Sequence, residues 1–153
     1  MRVWRAEAAE AADVARLIAE FGDWFGNHAP GEDEVRASVE RIMSGDDGEY
    51  LLGAVDGDGE PVGVCQLRFR WSVWKSAEDC WLEDLFVREE ARRSGLGRAL
   101  VEAALERARE RGCERIELDV NEDNAAARAL YEACGFMTEP KPPGRTLFIG
   151  RPL

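Results

Sequence analysis

The residue types best suited to chemistry in this 153-residue chain lie in Leu85-Phe86-Val87-Arg88-Glu89-Glu90-Ala91-Arg92-Arg93-Ser94-Gly95-Leu96-Gly97-Arg98. An apolar run fit for a strand leads into a loop, four arginines and two glycines follow, and a helical pattern opens at the end. The free amides of a helix N-terminus point outward and carry partial positive charge, which suits a phosphate. Gly95 and Gly97 let the backbone approach an anion closely, while Arg92, Arg93 and Arg98 add charge and forked donors. Strand, basic loop, paired glycines and helix together read as a pyrophosphate site. The plain alternative is a glycine-containing loop with solvated arginines before a surface helix. There is no Gly-Lys-Ser/Thr, so a P-loop is excluded. A dinucleotide fingerprint needs glycine directly after the strand and a third glycine where Leu100 stands. Here seven residues separate Val87 from Gly95, although Asp119 lies at a strand position beyond the glycines. A nicotinamide-dependent oxidoreductase is therefore the weaker reading of this segment.

The elements that position this segment are legible from hydrophobic spacing. Val3–Trp4 begin a short strand. Val14, Leu17, Ile18 and Phe21 follow helical spacing, as do Val35, Val39, Ile42 and Met43 after Pro30-Gly31. Leu51–Val55 suits a strand, and Asp56-Gly57-Asp58-Gly59 a hairpin turn. Cys65, Leu67, Phe69 and Trp71 alternate with polar residues, and Trp81–Val87 is the next strand. Residues 95–111 form a long amphipathic helix with Leu96, Leu100, Ala104 and Ala108 on one stripe, stopped near Gly112. Ile116, Leu118 and Val120 alternate as a strand, and Ala125–Cys134 is a helix ended by Gly135. Short strands follow at 136–138 and 147–149, joined through Pro142-Pro143-Gly144. The prediction is a single α/β (α+β) domain over 1–153 with a mixed sheet, antiparallel in its first half.

Composition removes several function classes. The chain carries 31 acidic and 20 basic side chains, a net charge of −11. Residues 1–60 hold 15 acids and 5 bases, a net of −10, so a nucleic-acid partner is excluded, and the field serves either a cationic partner or plain solubility. No apolar run approaches the roughly 18 residues of a membrane span, and no secretory signal is readable. Cys65, Cys80, Cys113 and Cys134 are scattered, and with one histidine, His28, a zinc site is not expected. Free thiols in a reducing, cytoplasmic setting fit this usage.

Three stretches resemble the GNAT superfamily of N-acetyltransferases. Arg92-x-x-Gly95-x-Gly97, after a strand and opening a helix, is similar to that family's acetyl-CoA signature. Asn124-x-x-Ala127-x-x-x-Tyr131 followed by Gly135-Phe136 agrees. Leu82-Glu83-Asp84-Leu85-Phe86-Val87, preceded by Ser72-x-Trp74-Lys75, resembles the spermidine/spermine (diamine) N-acetyltransferase group. The likeness covers residues 1–139 in outline and 80–137 in detail. It implies a largely antiparallel central sheet of about seven strands flanked by four helices. It also implies that Leu85, Phe86 and Val87 offer backbone groups to the pantetheine arm of acetyl-CoA. Amides from Arg93 to Arg98, including Ser94 and Leu96, would cradle the pyrophosphate, and Asn124, near Ala127, would hydrogen-bond the cosubstrate. Glu83 would be general base and Tyr131 general acid, with no metal. A homodimer follows from the family's habit. Arg93 departs from the pattern, since glycine is frequent there, and the stretch with Pro140, Pro142 and Pro143 has no match.

The chemistry asks for these groups in its own right. A substrate ammonium must lose a proton before it attacks a thioester, and a carboxylate such as Glu83 can bind the cation and then accept that proton. Strand alternation puts Glu83 on the face of Val87. A phenol such as Tyr131 can protonate the leaving thiolate. The resemblance implies that the two early helices, rich in acids, form one wall of the acceptor cleft, and Trp24, Phe25, Trp71 and Trp74 are candidate lining. The favoured reading is an acetyl-CoA-dependent N-acetyltransferase for a small cationic amine. The alternative from another class is a catalytically silent CoA-binding sensor or regulatory module. Which amine is acetylated (polyamine, aminoglycoside, amino acid or protein N-terminus) is not written in the sequence.

Overall fold

The computed structural model describes residues 1–26, 30–57, 59–137 and 150–152. In chain order it forms β1 (Arg2–Arg5), α1 (Ala11–Trp24), α2 (Glu32–Met43), β2 (Gly48–Ala54), β3 (Gly63–Ser72), β4 (Ala77–Val87), α3 (Leu96–Glu110), β5 (Arg115–Glu117) and α4 (Ala125–Ala133). Single 3-10 turns lie at Ala8–Glu10 and Glu89–Ala91. The sheet order is β1-β2-β3-β4-β5, antiparallel up to β4 and parallel between β4 and β5. The element order matches the sequence pattern up to α4. The sheet has five strands among the described residues, not seven. Phe136 and Met137 are irregular, and the rest of both expected terminal strands falls on 138–149, outside the described residues. His28 and the 140–143 prolines also lie outside them.

Alternation along the strands divides the core into two faces. Cys65, Leu67, Phe69 and Leu82 pack with Leu96, Leu100, Val101 and Ala104 of α3 and with Tyr131 of α4. Tyr50, Leu52, Val64 and Phe86 pack with Val14 and Leu17 of α1 and Val35 and Val39 of α2. The predicted α3 stripe is buried, and fully burying a leucine such as Leu96 or Leu100 stabilises the fold by roughly 1.5–3 kcal/mol.

Two glycines set how closely α3 lies on the sheet. Gly53 and Gly63 stand opposite each other on β2 and β3. A Cβ on Gly53 would come within 2.8 Å of Leu96 Cδ1, and one on Gly63 within 3.0 Å of Leu100 Cδ1. The start of α3 therefore rests on bare backbone, which fixes the loop before it. Charged clamps hold the other ends. The Arg88 guanidinium donates two hydrogen bonds to the Glu20 carboxylate, tying α1 to the end of β4. Arg107 donates to both oxygens of Glu49 at 2.7 and 2.8 Å, and Arg111 to both oxygens of Glu78 at 2.8 Å. These forked pairs pin the C-terminal end of α3 to β2 and β4.

Candidate active site

The β4 strand changes face at its middle. Gln66 stands opposite Asp84 while Leu67 stands opposite Leu82, so Glu83 is the extra residue of a β-bulge. Leu82 and Leu85 both pack on the α3 face, which turns Glu83 and Asp84 together to the opposite face. This corrects the expectation that Glu83 shares a face with Val87, since Val87 also packs on the α3 side. Simple alternation would have separated Glu83 from Asp84; the bulge joins them.

Both carboxylates line a cleft of about 930 Å³ together with Gln66, Arg68, Arg70, Asp79, Trp81 and Glu117. Arg68 is bound to Asp47 at 2.7 Å and Asp79 to Lys75 at 2.6 Å. Glu83 and Asp84 have no ion-pair partner among the described residues, and neither has Arg70 further along β3, so two carboxyl groups and one guanidinium of the lining are unpaired. Burial pushes the Asp84 carboxyl up to about 6, with Glu83 and then Asp119 adding to the rise. The acids of α1 and α2 are not the wall. Of the described residues among the first 60, Ile42 and Asp47 alone line the cleft, and Asp47 is neutralised by Arg68. Trp24 and Phe25 lie exposed at the end of α1, Trp71 and Trp74 lie exposed at the β3–β4 hairpin, and none of the four lines the cleft.

Beyond the bulge the edge of β4 away from β3 is open among the described residues. It pairs with β5 only from Asp79 to Trp81, because β5 stops at Glu117 rather than running on to Val120. The Arg88 amide donates to Val62 O, so by antiparallel alternation Leu85 and Val87 aim their backbone groups away from β3. Phe86 turns its backbone to β3 and its side chain into the core. An extended ligand can therefore add along Leu85 and Val87 as a strand would. The Val87 carbonyl already accepts Arg92 Nε at 3.0 Å.

The open edge leads to the N-terminus of α3. Gly95 is left-handed at φ 94°, and so is Arg93 at φ 61°, which explains why glycine suits that position. The Ser94 hydroxyl donates to Ala91 O at 2.7 Å and accepts the Leu96 amide at 3.3 Å. The first intrahelical bond runs from the Ala99 amide to Gly95 O, leaving the Gly97 and Arg98 amides without an acceptor among the described residues. Those amides, with exposed Arg93, fit an anion. Arg92 stacks over Trp24 at 4.9 Å, and Arg98 is held by Glu102 at 2.8 Å. Asn124 caps α4 by accepting the Ala127 amide at 3.1 Å, which leaves its own NH₂ group for another partner.

Tyr131 flanks the same edge from the α3 face, nearly buried against Phe136. Burial first, then Cys65, Asp119 and Asp84, push its phenol up to about 12, so it stays protonated. No hydrogen bond joins Tyr131 to Glu83: a carboxylate pair stands on one side of the edge and a phenol on the other.

The sequence profile described as "Acetyltransferase (GNAT) family" matches residues 14–136. The chain belongs to the GNAT acetyltransferase family. It is thus an acyl-transferring enzyme, from a family that uses acetyl-CoA. A thialysine N-epsilon-acetyltransferase of Bos taurus is 28% identical over 141 residues, spanning 85% of this chain and 80% of the relative. An aminoglycoside N(6')-acetyltransferase type 1 of Stenotrophomonas maltophilia is 30% identical over 135 residues, spanning 86% and 83%. The crystal structure of a putative acetyltransferase from Arthrobacter sp. FB24 superposes with TM-score 0.86 at 35% identity, covering 100% of this chain and 96% of that one. In this GNAT enzyme no described helix is long and apolar enough to cross a membrane, no described His, Cys, Asp and Glu residues group into a metal site, and all four cysteines are free.

The GNAT site contains groups that sequence reasoning passed over. Asp84 sat in plain sight beside Glu83, but period-two alternation set the two on opposite faces. Gln66 gave no signal, being one of the polar residues that alternate with Cys65, Leu67, Phe69 and Trp71 along β3.

Proposed function

We propose that this enzyme moves an acetyl group from acetyl-CoA to the primary amine of a small cationic acceptor by direct attack. The observation that carries the reading is the open β4 edge, which runs from a carboxylate-bearing bulge to the unpaired amides of α3. The pantetheine arm pairs with Leu85 and Val87, the pyrophosphate lies on the amides from Arg93 to Arg98, and Asn124 donates to the cosubstrate. Glu83 takes a proton from the ammonium, and the neutral amine attacks the thioester carbon. The carbon–sulfur bond breaks, and Tyr131 protonates the thiolate. Overall the ammonium and acetyl-CoA give the amide, CoA thiol and one proton to solvent. The naming of two relatives for amine acceptors, thialysine and an aminoglycoside, supports a cationic substrate. Four free thiols support a reducing, cytoplasmic setting. The enzyme works as a homodimer, which sedimentation at micromolar concentration tests.

The test is a panel of primary amines with detection of released CoA thiol. Glu83→Gln keeps the shape and removes the base, so kcat/KM should fall about 10²- to 10⁴-fold at pH 7 and less at high pH, where the amine is already neutral. For the parent, kcat/KM should fall with added salt, because charges are screened over about 10 Å at 0.1 M. Full activity of Glu83→Gln, or a best substrate that is neutral at the reacting nitrogen, would overturn the proposal.

A further inference from the structure

Gln66 stands apart from the other buried residues. It is the one buried polar side chain among the described residues, 7% exposed in the middle of β3. Its amide has no hydrogen-bond partner among the described residues, and its polar atoms open to the cleft that it lines rather than being sealed from solvent. Its direct cross-strand partner is Asp84, which the bulge turns to the same face. An amide that opens to the cleft without a protein partner, beside a carboxylate without an ion-pair partner, suits a ligand that donates hydrogen bonds and carries positive charge. A primary ammonium does both, with three donors and no acceptor.

We infer that Gln66 and Asp84 form the seat of the acceptor's reacting amine, Gln66 Oε1 accepting one N–H and the Asp84 carboxylate holding the charge. This deepens the transferase reading and rests on it for the identity of the reacting group. Glu83, adjacent on the bulge, is left to take the proton, so the roles divide. Asp84 binds and Glu83 deprotonates. The geometry also sets the direction of attack, because both seat residues lie on the cleft face while the thioester edge of β4 lies beside them. Asp84 is faced by Glu83 on its own strand, is within electrostatic reach of Asp119 beyond β5, of Tyr50 of β2 and, through the sheet, of Cys65 and Tyr131, and shares its cleft with the cations Arg68 and Arg70 of β3. Arg68 is committed to Asp47, and Arg70, which lines the same cleft, is a second cation of β3. Burial and these neighbours hold the carboxyl near 6, so the seat should lose its charge, and its grip on an ammonium, as the pH falls through that value.

Binding is measured by calorimetry on the intact enzyme saturated with CoA, which cannot transfer acetyl, using 1,4-diaminobutane, lysine and kanamycin as probes. At least one should bind the parent, more weakly at pH 5 than at pH 7.5. Gln66→Met, close in volume, and Asp84→Asn should each weaken that probe about 10- to 100-fold, the usual cost of a hydrogen bond to a charged group. Neither should change affinity for CoA or lower the melting temperature, and Asp84→Asn should abolish the pH dependence. No probe binding to the parent, unchanged affinity in both variants, or equal loss of CoA binding would overturn the inference. Turnover with acetyl-CoA is scored separately. A parent that binds amine through this seat but transfers no acetyl group would sink the transferase reading and leave the seat standing.

Discussion

Replacing Asp84 by Asn should make the protein more stable at neutral pH. In the unfolded chain this carboxyl titrates at its ordinary 3.8, and in the fold burial, Glu83 and Asp119 push it up to about 6. The folded state therefore holds the proton more tightly than the unfolded state. Stability from the protonated form is complete below 3.8 and is lost as pH rises through about 6. At pH 7.5 the native enzyme carries the whole penalty. A shift of this size corresponds to about 3 kcal/mol, and the solvent reaching a half-buried side chain trims it to about 1–3 kcal/mol. Asn has the same shape and no charge, so it should recover that amount. For a chain of this length the gain is a rise of roughly 2–12 °C in Tm. Urea unfolding of parent and variant across pH 4 to 7.5 measures it. The gap should be widest above pH 6 and close as the pH falls towards 4. A variant equal to or less stable than the parent at pH 7.5 would show that Asp84 is not strained by its neighbours, and the division of labour at the bulge would lose its physical basis.

Other changes test other parts of the site. Tyr131→Phe should depress kcat about 10- to 100-fold and leave acetyl-CoA binding nearly intact, because only a hydroxyl is removed; equal loss of both would point to a packing role. Gly97→Glu puts a negative charge at the α3 amides and should abolish the rise in Tm that acetyl-CoA gives the parent. Gly97→Ala is the control, since its Cβ meets Leu130 Cδ2 at an ordinary 3.4 Å. Thiol titration under denaturing, non-reducing conditions should count four free groups. In the folded protein the buried Cys65 and Cys80, whose thiols burial pushes up, should react far more slowly than Cys113 and Cys134.

What was legible in the sequence was local. The α3 stripe of Leu96, Leu100, Ala104 and Ala108 repeats at helical spacing and is buried as read. The strand, loop and helix start around Gly95 were legible for the same reason, because a strand end, two glycines and a helix start are written within fourteen consecutive residues. The substrate side was not. Whether Glu83 and Asp84 share a face depends on one unpaired residue, and that depends on how β4 registers with Gln66 and Leu67 of β3. The end of β5 at Glu117 was misjudged similarly. Leu118 keeps its apolar contact with the α3 core after the strand has left β4, so hydrophobic alternation outlasts the pairing. Net charge misled too, since the acids of α1 and α2 are spent on solubility and clamps such as Glu20–Arg88, not on the cleft.

The central claim is transfer of acetyl from CoA to an amine nitrogen, and the most direct measurement follows both products at once. With carbonyl-labelled acetyl-CoA and the best amine of the panel, released CoA thiol and labelled amide are quantified in the same reaction. One amide should appear on the primary nitrogen for each thiol released, with no label left on the protein. Thiol without amide would mean thioester hydrolysis, and bound acetyl-CoA left intact by every amine would mean a sensor; either result contradicts the account.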